Sequence, residues 1–179
     1  MGCYVAYRVQ AGVKSAQGTE TNVPRMGCGR SDLYTWLVER GFRGVYAGLD
    51  VVPEFVELAN VRLLEHRLAD GAGPVPPCVV GDAQTDSLPA CDYAVASGVF
   101  NLDVGGGWQN PWWLAVIERM HQAAGLGWAF DCLCTCREPK DACQVYRDPV
   151  RLATVILERF KGSVARLTHN DPTGNLIVQ

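Results

Sequence analysis

One short stretch constrains the fold of this chain more than any other: Gly27-Cys28-Gly29-Arg30-Ser31-Asp32, followed twenty-one positions after Gly29 by Asp50 at the end of Val45-Tyr46-Ala47-Gly48-Leu49-Asp50. Two glycines one residue apart permit a turn with positive φ and let the backbone approach a ligand with no intervening Cβ. An acid at the tip of the next strand is placed to accept hydrogen bonds from ribose hydroxyls. A glycine turn that opens a helix, then a strand ending in an acid, is the order of a nucleotide site on a parallel sheet.

Downstream of Gly27, strand and helix signals alternate. Ser31 or Asp32 is placed to cap a helix reaching Gly41, with Leu33, Trp36, Leu37 and Arg40 at helical spacing. Residues 45–50 read as a strand, and Pro53 starts a second helix with Phe55, Val56, Leu58, Ala59, Leu63 and Leu64 as its apolar face. A short strand over 78–81 enters Asp82, and 91–97 is the nearly unbroken apolar run of a strand covered on both faces. Helices are predicted over 112–124 and 150–160, a strand over 125–135 between them, and a closing hairpin from 163–169 and 175–178. This alternation predicts an α/β fold, a doubly wound and mostly parallel sheet with an antiparallel C-terminal strand and a ligand crevice at the strand C-termini. Residues 1–25 are expected to form an irregular N-terminal segment ahead of a domain over 26–179. The strand entering Gly27 is weak, because Pro24 removes a ladder donor and Arg25 is costly to bury.

Bulk properties narrow the partners. With 179 residues, a net charge of −3 and a pI of about 5.6, the chain offers no broad phosphate-binding surface, so nucleic acid is not an expected partner. No apolar run approaches the roughly 20 residues that span a bilayer, and no basic start precedes an apolar core, so a cytoplasmic location and no membrane partner are expected. Met1-Gly2-Cys3 resembles an acylation signal, but Ala6 stands where that signal has Ser or Thr. Eight cysteines are present, and Cys132, Cys134 and Cys136 alternate within 128–136, which places them on one face if that stretch is extended. No pair of CxxC knuckles accompanies them, so they read as small core residues and no metal is expected.

The ligand class follows from charge. A dinucleotide turn would carry a third glycine at position 32, where Asp32 stands and would repel a pyrophosphate. The same acid suits a ligand with an ammonium and a sulfonium, as in S-adenosylmethionine. At this point the chain resembles the class I S-adenosylmethionine-dependent methyltransferases, in a small and poorly assigned subgroup with an atypical N-terminus. Gly27, Cys28 and Gly29 match the family's first motif, and Asp50 with Val51 matches its ribose-binding strand end. Gly81, Asp82 and Ala83 match the adenine-side motif, and 91–97 matches the fourth strand. Arg25 stands where the family usually has an acid, and Ser31 where a third motif glycine is common.

The resemblance implies that Gly27, Cys28, Gly29, Asp32, Asp50, Val51, Asp82, Ala83 and Ser97 bind S-adenosylmethionine. It further implies methyl transfer to a small-molecule acceptor held over residues 97–101, with Phe100, Asn101 and Trp108 in contact with it. Trp108, Trp112 and Trp113 flank Gly105-Gly106-Gly107, where an acceptor lid could sit, although two of these indoles suit helix packing. No catalytic base stands out; Asp103, Asp131 and His121 are the candidates for an oxygen acceptor. Two other readings stay open. An NAD(P)-dependent oxidoreductase is disfavoured by Asp32 and the closing hairpin. A non-catalytic or truncated methyltransferase-fold chain is favoured by Pro24, Arg25 and Ser31.

Overall fold

The computed structural model describes residues 22–42, 44–70, 77–105, 110–136, 141–161, 167–170 and 175–178. Eight strands form one sheet: β1 (Asn22–Met26), β2 (Val45–Asp50), β3 (Val79–Val80), β4 (Cys91–Ala96), β5 (Ala124–Cys134), β6 (Tyr146–Arg147), β7 (Leu167–Asn170) and β8 (Asn175–Val178). Four helices alternate with them: α1 (Asp32–Glu39), α2 (Pro53–Asp70), α3 (Trp112–Ala123) and α4 (Pro149–Arg159). The sheet order is β3-β2-β1-β4-β5-β8-β7, with β6 beside the end of β5. Strands β1 to β6 pair in parallel, whereas β8 runs antiparallel to β5 and to β7. The order reverses between β1 and β4, which makes their C-terminal ends the switch point where open α/β sheets bind ligands.

Both faces of this sheet are covered. Alternate residues of a strand point to opposite faces, and in β4 Ala94 and Ala96 pack toward α3 and α4, while Val95 packs with α1 and α2. The first core joins Trp113, Val116, Ile117, Met120, Leu152 and Ile156 to Phe130, Cys132 and Cys134 of β5. The second joins Leu33, Tyr34, Leu37, Val56, Ala59 and Leu63 to Tyr46, Cys28 and Cys78.

Several elements depart from the sequence pattern. The strand entering Gly27 forms despite Pro24: β1 pairs with β2 along all of Asn22–Met26, but β4 joins only at Arg25 and Met26. Pro24 therefore has a paired strand on the β2 side alone, the edge-like setting in which a strand tolerates proline. Over 53–66, the part of α2 whose side chains are described, the buried apolar residues are Val56, Ala59 and Leu63, and Phe55, Leu58 and Leu64 are exposed. The two-residue edge strand β3 leaves too little sheet beneath this helix to cover a wider face. A 3₁₀ turn over Val99–Asn101 and the short strand β6 were not legible in the sequence. The alternating cysteines divide, with Cys132 and Cys134 buried in β5 and Cys136 exposed in the turn beyond it. Residues 1–21, Trp108 and the turn at 171–174 lie outside the described residues.

Candidate active site

The turn after β1 is built on positive φ: Gly27 at 64°, Gly29 at 51° and, without being glycine, Ser31 at 59°. At Gly27 an added Cβ would stand 2.3 Å from Val99 Cγ2, so the segment after β4 packs directly on this backbone. At Gly29 nothing lies within 4 Å of the same position, and the bare backbone faces open space. Ser31 is fully buried and does not cap α1 through its side chain; its hydroxyl lies 3.5 Å from Cys78 Sγ. The N-cap expected from Ser31 is thus absent because the backbone there is left-handed and turns the hydroxyl inward.

Asp50 ties the turns together. Its Oδ2 accepts the Gly29 N–H at 2.8 Å, its Oδ1 accepts the Val52 N–H at 3.0 Å, and its carbonyl accepts the Gly81 N–H at 2.9 Å. The tips of β1, β2 and β3 are therefore joined through one residue. Each carboxylate oxygen carries more than one acceptor direction, so the two amide contacts leave acceptor capacity on both. Val51, next along the chain, is exposed. Cys28, between the two glycines, is buried against Gly48, whose missing side chain makes room for Cys28 and Cys78 together.

Asp82 is exposed and closes its own turn: Oδ1 accepts the Gln84 N–H at 2.8 Å, and its own N–H donates to Asp86 Oδ2 at 2.7 Å. Ala83 packs against the first core. After β4, the Ser97 hydroxyl and the Gly98 N–H both donate to the carboxylate of Asp131, each at 2.7 Å. Gly98 has φ of 77° and nothing within 4 Å of an added Cβ, so this turn too presents bare backbone to open space.

Three further expected site residues have partners within the fold. Asp32 is ion-paired with Arg62 of α2, which also donates to the Arg30 carbonyl at 3.2 Å. The pair joins α1 to α2 beside the glycine turn. Phe100 has no exposed surface; its ring sits 5.2 Å from Phe130 and 5.6 Å from Trp112 in the first core. Asn101 is an anchor: its Oδ1 accepts the Leu133 N–H and its carbonyl the Val145 N–H, both at 2.9 Å.

The candidate bases separate in the same way. His121 lies three residues before β5 begins, at the opposite end of the parallel strands, with its Nδ1 accepting the Trp128 indole N–H at 3.1 Å. Asp103 is exposed and accepts the Gly105 N–H at 2.8 Å. Asp131 is 1% exposed and was visible in the sequence only as one acid in a strand; its two partners come from 33 and 34 residues away. Burial pushes the Cys132 thiol up to about 12 and the Cys91 thiol up to about 11, so both are neutral at pH 7. Among the described residues no group of three or more His, Cys, Asp or Glu could hold a metal ion.

What this geometry can do is bind one polar ligand along the strand tips. Backbone free of side chains at Gly29 and Gly98 lies at these tips with the Asp50 carboxylate, and a side chain at either glycine would extend into the open space beside it. No protein-family model matches the chain. A Mycobacterium tuberculosis H37Rv protein named "Putative methyltransferase Rv1506c" is 32% identical over 151 residues, which cover 79% of this chain and 82% of that protein. Among solved structures, magnesium protoporphyrin IX methyltransferase from Synechocystis PCC 6803 with bound S-adenosylhomocysteine superposes with a TM-score of 0.66 at 14% identity, over 89% of this chain and 73% of that one. A SAM-dependent methyltransferase from Methanosarcina mazei superposes with a TM-score of 0.64 at 15% identity, over 89% of this chain and 90% of its own. At such identities the superpositions speak for the fold.

Proposed function

The chain belongs to the class I S-adenosylmethionine-dependent methyltransferases, and from that premise we propose that it binds this cofactor across the tips of β1 to β4 and transfers the methyl group to a small-molecule acceptor. Its cofactor is S-adenosylmethionine, which when bound supplies an electrophilic methyl group on a sulfonium sulfur. In this reading the Gly27–Gly29 backbone lies under the amino-acid part, Asp50 and Val51 face the ribose, and Asp82 with Ala83 faces adenine. The Ser97–Gly98 turn forms the wall toward the acceptor. The observation that carries the reading is Asp50, whose carboxylate and carbonyl join amides from three strand tips and whose carboxylate oxygens retain further acceptor directions.

Methyl transfer is an in-line displacement whose rate depends heavily on holding the two reactants at contact distance and in line. The chain's contribution is therefore chiefly positional: it orients the cofactor on the glycine turns and holds the acceptor on the far side of the methyl group. The described part of the acceptor side begins beyond Asn101, where Leu102 and Val104 are exposed. Their apolar surface suits an acceptor with apolar bulk.

Calorimetric titration of S-adenosylmethionine and S-adenosylhomocysteine into the chain tests this. Micromolar binding is expected, weakened at least about tenfold in Asp50→Asn and further in Asp50→Ala, which leaves two backbone donors without their acceptor. A folded chain that binds neither ligand would sink the reading in favour of a non-catalytic relative. Binding of a nicotinamide dinucleotide in their place would favour the oxidoreductase.

A further inference from the structure

We propose that Asp131 is a positioning residue for methyl transfer: it holds the Ser97–Gly98 turn against the cofactor turn by hydrogen bonding rather than by charge. This role rests on the reading of that turn as part of the cofactor site. The carboxylate lies near the C-terminal end of β5, 1% exposed, and takes the Ser97 hydroxyl on Oδ2 and the Gly98 N–H on Oδ1. Burying a carboxylate is costly unless it is well hydrogen-bonded, and an apolar side chain would fill the same space without that penalty. What an acid brings here is a pair of acceptors aimed at two donors of one turn.

The consequence reaches the cofactor turn through packing. Val99, the next residue, occupies the space where Gly27 would carry a Cβ, at 2.3 Å, so a shift of the 97–99 backbone moves the Gly27 wall with it. The other end of the segment is held by the same strand, since the Leu133 N–H donates to Asn101 Oδ1 at 2.9 Å. Residues 131 and 133 are two apart in β5, so both attachments come from one short length of the strand. Between these two anchors the backbone of Gly98 is open to the site, with nothing within 4 Å of an added Cβ.

Hydrogen bonding and charge make different predictions. A serine hydroxyl donates or accepts, so in Asp131→Asn the amide oxygen keeps the Gly98 N–H while the amide nitrogen donates to Ser97 Oγ. The geometry survives and the charge is lost. In Asp131→Ala both attachments are lost.

Titration of S-adenosylhomocysteine (neutral sulfur) and S-adenosylmethionine (cationic sulfonium), together with amide exchange over residues 97–99, tests the role. Asp131→Asn is expected to bind both ligands within about threefold of wild type and to keep the segment protected. Asp131→Ala is expected to lose about tenfold or more in affinity for both ligands equally, with exchange accelerated to a similar degree. Wild-type affinity in a folded Asp131→Ala chain would overturn the role. So would an Asp131→Asn chain that loses S-adenosylmethionine affinity selectively, because charge would then be the active property. If Asp131→Ala does not fold, Ser97→Ala placed in Asp131→Asn leaves the new amide donor without an acceptor and should weaken S-adenosylhomocysteine several-fold; unchanged binding would overturn the role equally. A wild-type chain that binds neither ligand overturns the site reading and this role with it, whereas an indifferent Asp131→Ala in a binding-competent chain overturns this role alone.

Discussion

Ser31 and Gly27 carry opposite lessons about one backbone region. Ser31 holds a left-handed conformation that costs a residue with a Cβ roughly 1–2 kcal/mol. Its side chain returns only a weak contact with Cys78 Sγ at 3.5 Å. Ser31→Gly is expected to raise stability by about 0.5–1 kcal/mol, read as a rise of a few degrees in the thermal midpoint, with cofactor affinity retained. Gly27→Ala meets both a positive φ and Val99 Cγ2 at 2.3 Å, so it is expected to cost about 1–3 kcal/mol and to weaken S-adenosylhomocysteine binding, checked by melting and calorimetry. Asp32 shows what position alone does not tell: its carboxylate pairs with Arg62 from 30 residues away, a partner no local spacing announces.

The elements meet the pattern best where one local signal is sufficient. Asp148 opens α4 ahead of Pro149: its Oδ1 accepts the Arg151 N–H at 2.9 Å. Asp148→Ala should cost about 1 kcal/mol in denaturant unfolding, the usual value of such a cap. Between elements, Gly48 of β2 is the tightest point, because an added Cβ would stand 2.3 Å from Cys78 Sγ and 2.8 Å from Cys28 Cβ. Gly48→Ala should destabilise by about 1–3 kcal/mol, and combining it with Cys78→Ala should recover part of the loss, a non-additivity visible in a double-mutant cycle. The spacing of α2 predicts a broad apolar face, yet of Phe55, Val56, Leu58, Ala59, Leu63 and Leu64 three are covered (Val56, Ala59 and Leu63), since periodicity states which residues could be buried and not how wide a surface waits beneath them.

At the scale of the whole molecule, two buried thiols of the first core make the protein sensitive to alkali. Burial, opposed by Arg147 and reinforced by Asp131 and Cys134, pushes the Cys132 thiol from 9.0 to about 12, and burial with Asp92 pushes Cys91 to about 11. The folded state then holds protons that the unfolded chain releases above pH 9. The stabilisation is complete below pH 9 and is lost as pH rises through 11 to 12. Urea midpoints measured at pH 7, 9, 10 and 11 should fall across the last two steps, and Cys132→Ala should make that fall shallower. A midpoint flat to pH 11 would show that neither thiol is held in its neutral form.

What the sequence determined by itself was the alternation of strand and helix, the glycine turn and the acid at the tip of β2, because each of these is written within about 25 consecutive residues. Turn chemistry and periodicity act over such distances without help from the rest of the chain. Only the tertiary structure decided that Asp32 serves a helix pair, that Phe100 belongs to the core, that Asn101 anchors a turn and that Asp131 reaches Ser97 and Gly98. Each of those outcomes depends on which segment the sheet order places alongside, as when β4 and β5 become neighbours across an intervening helix. A side chain's partner is then set by proximity in space, and local spacing carries no record of it.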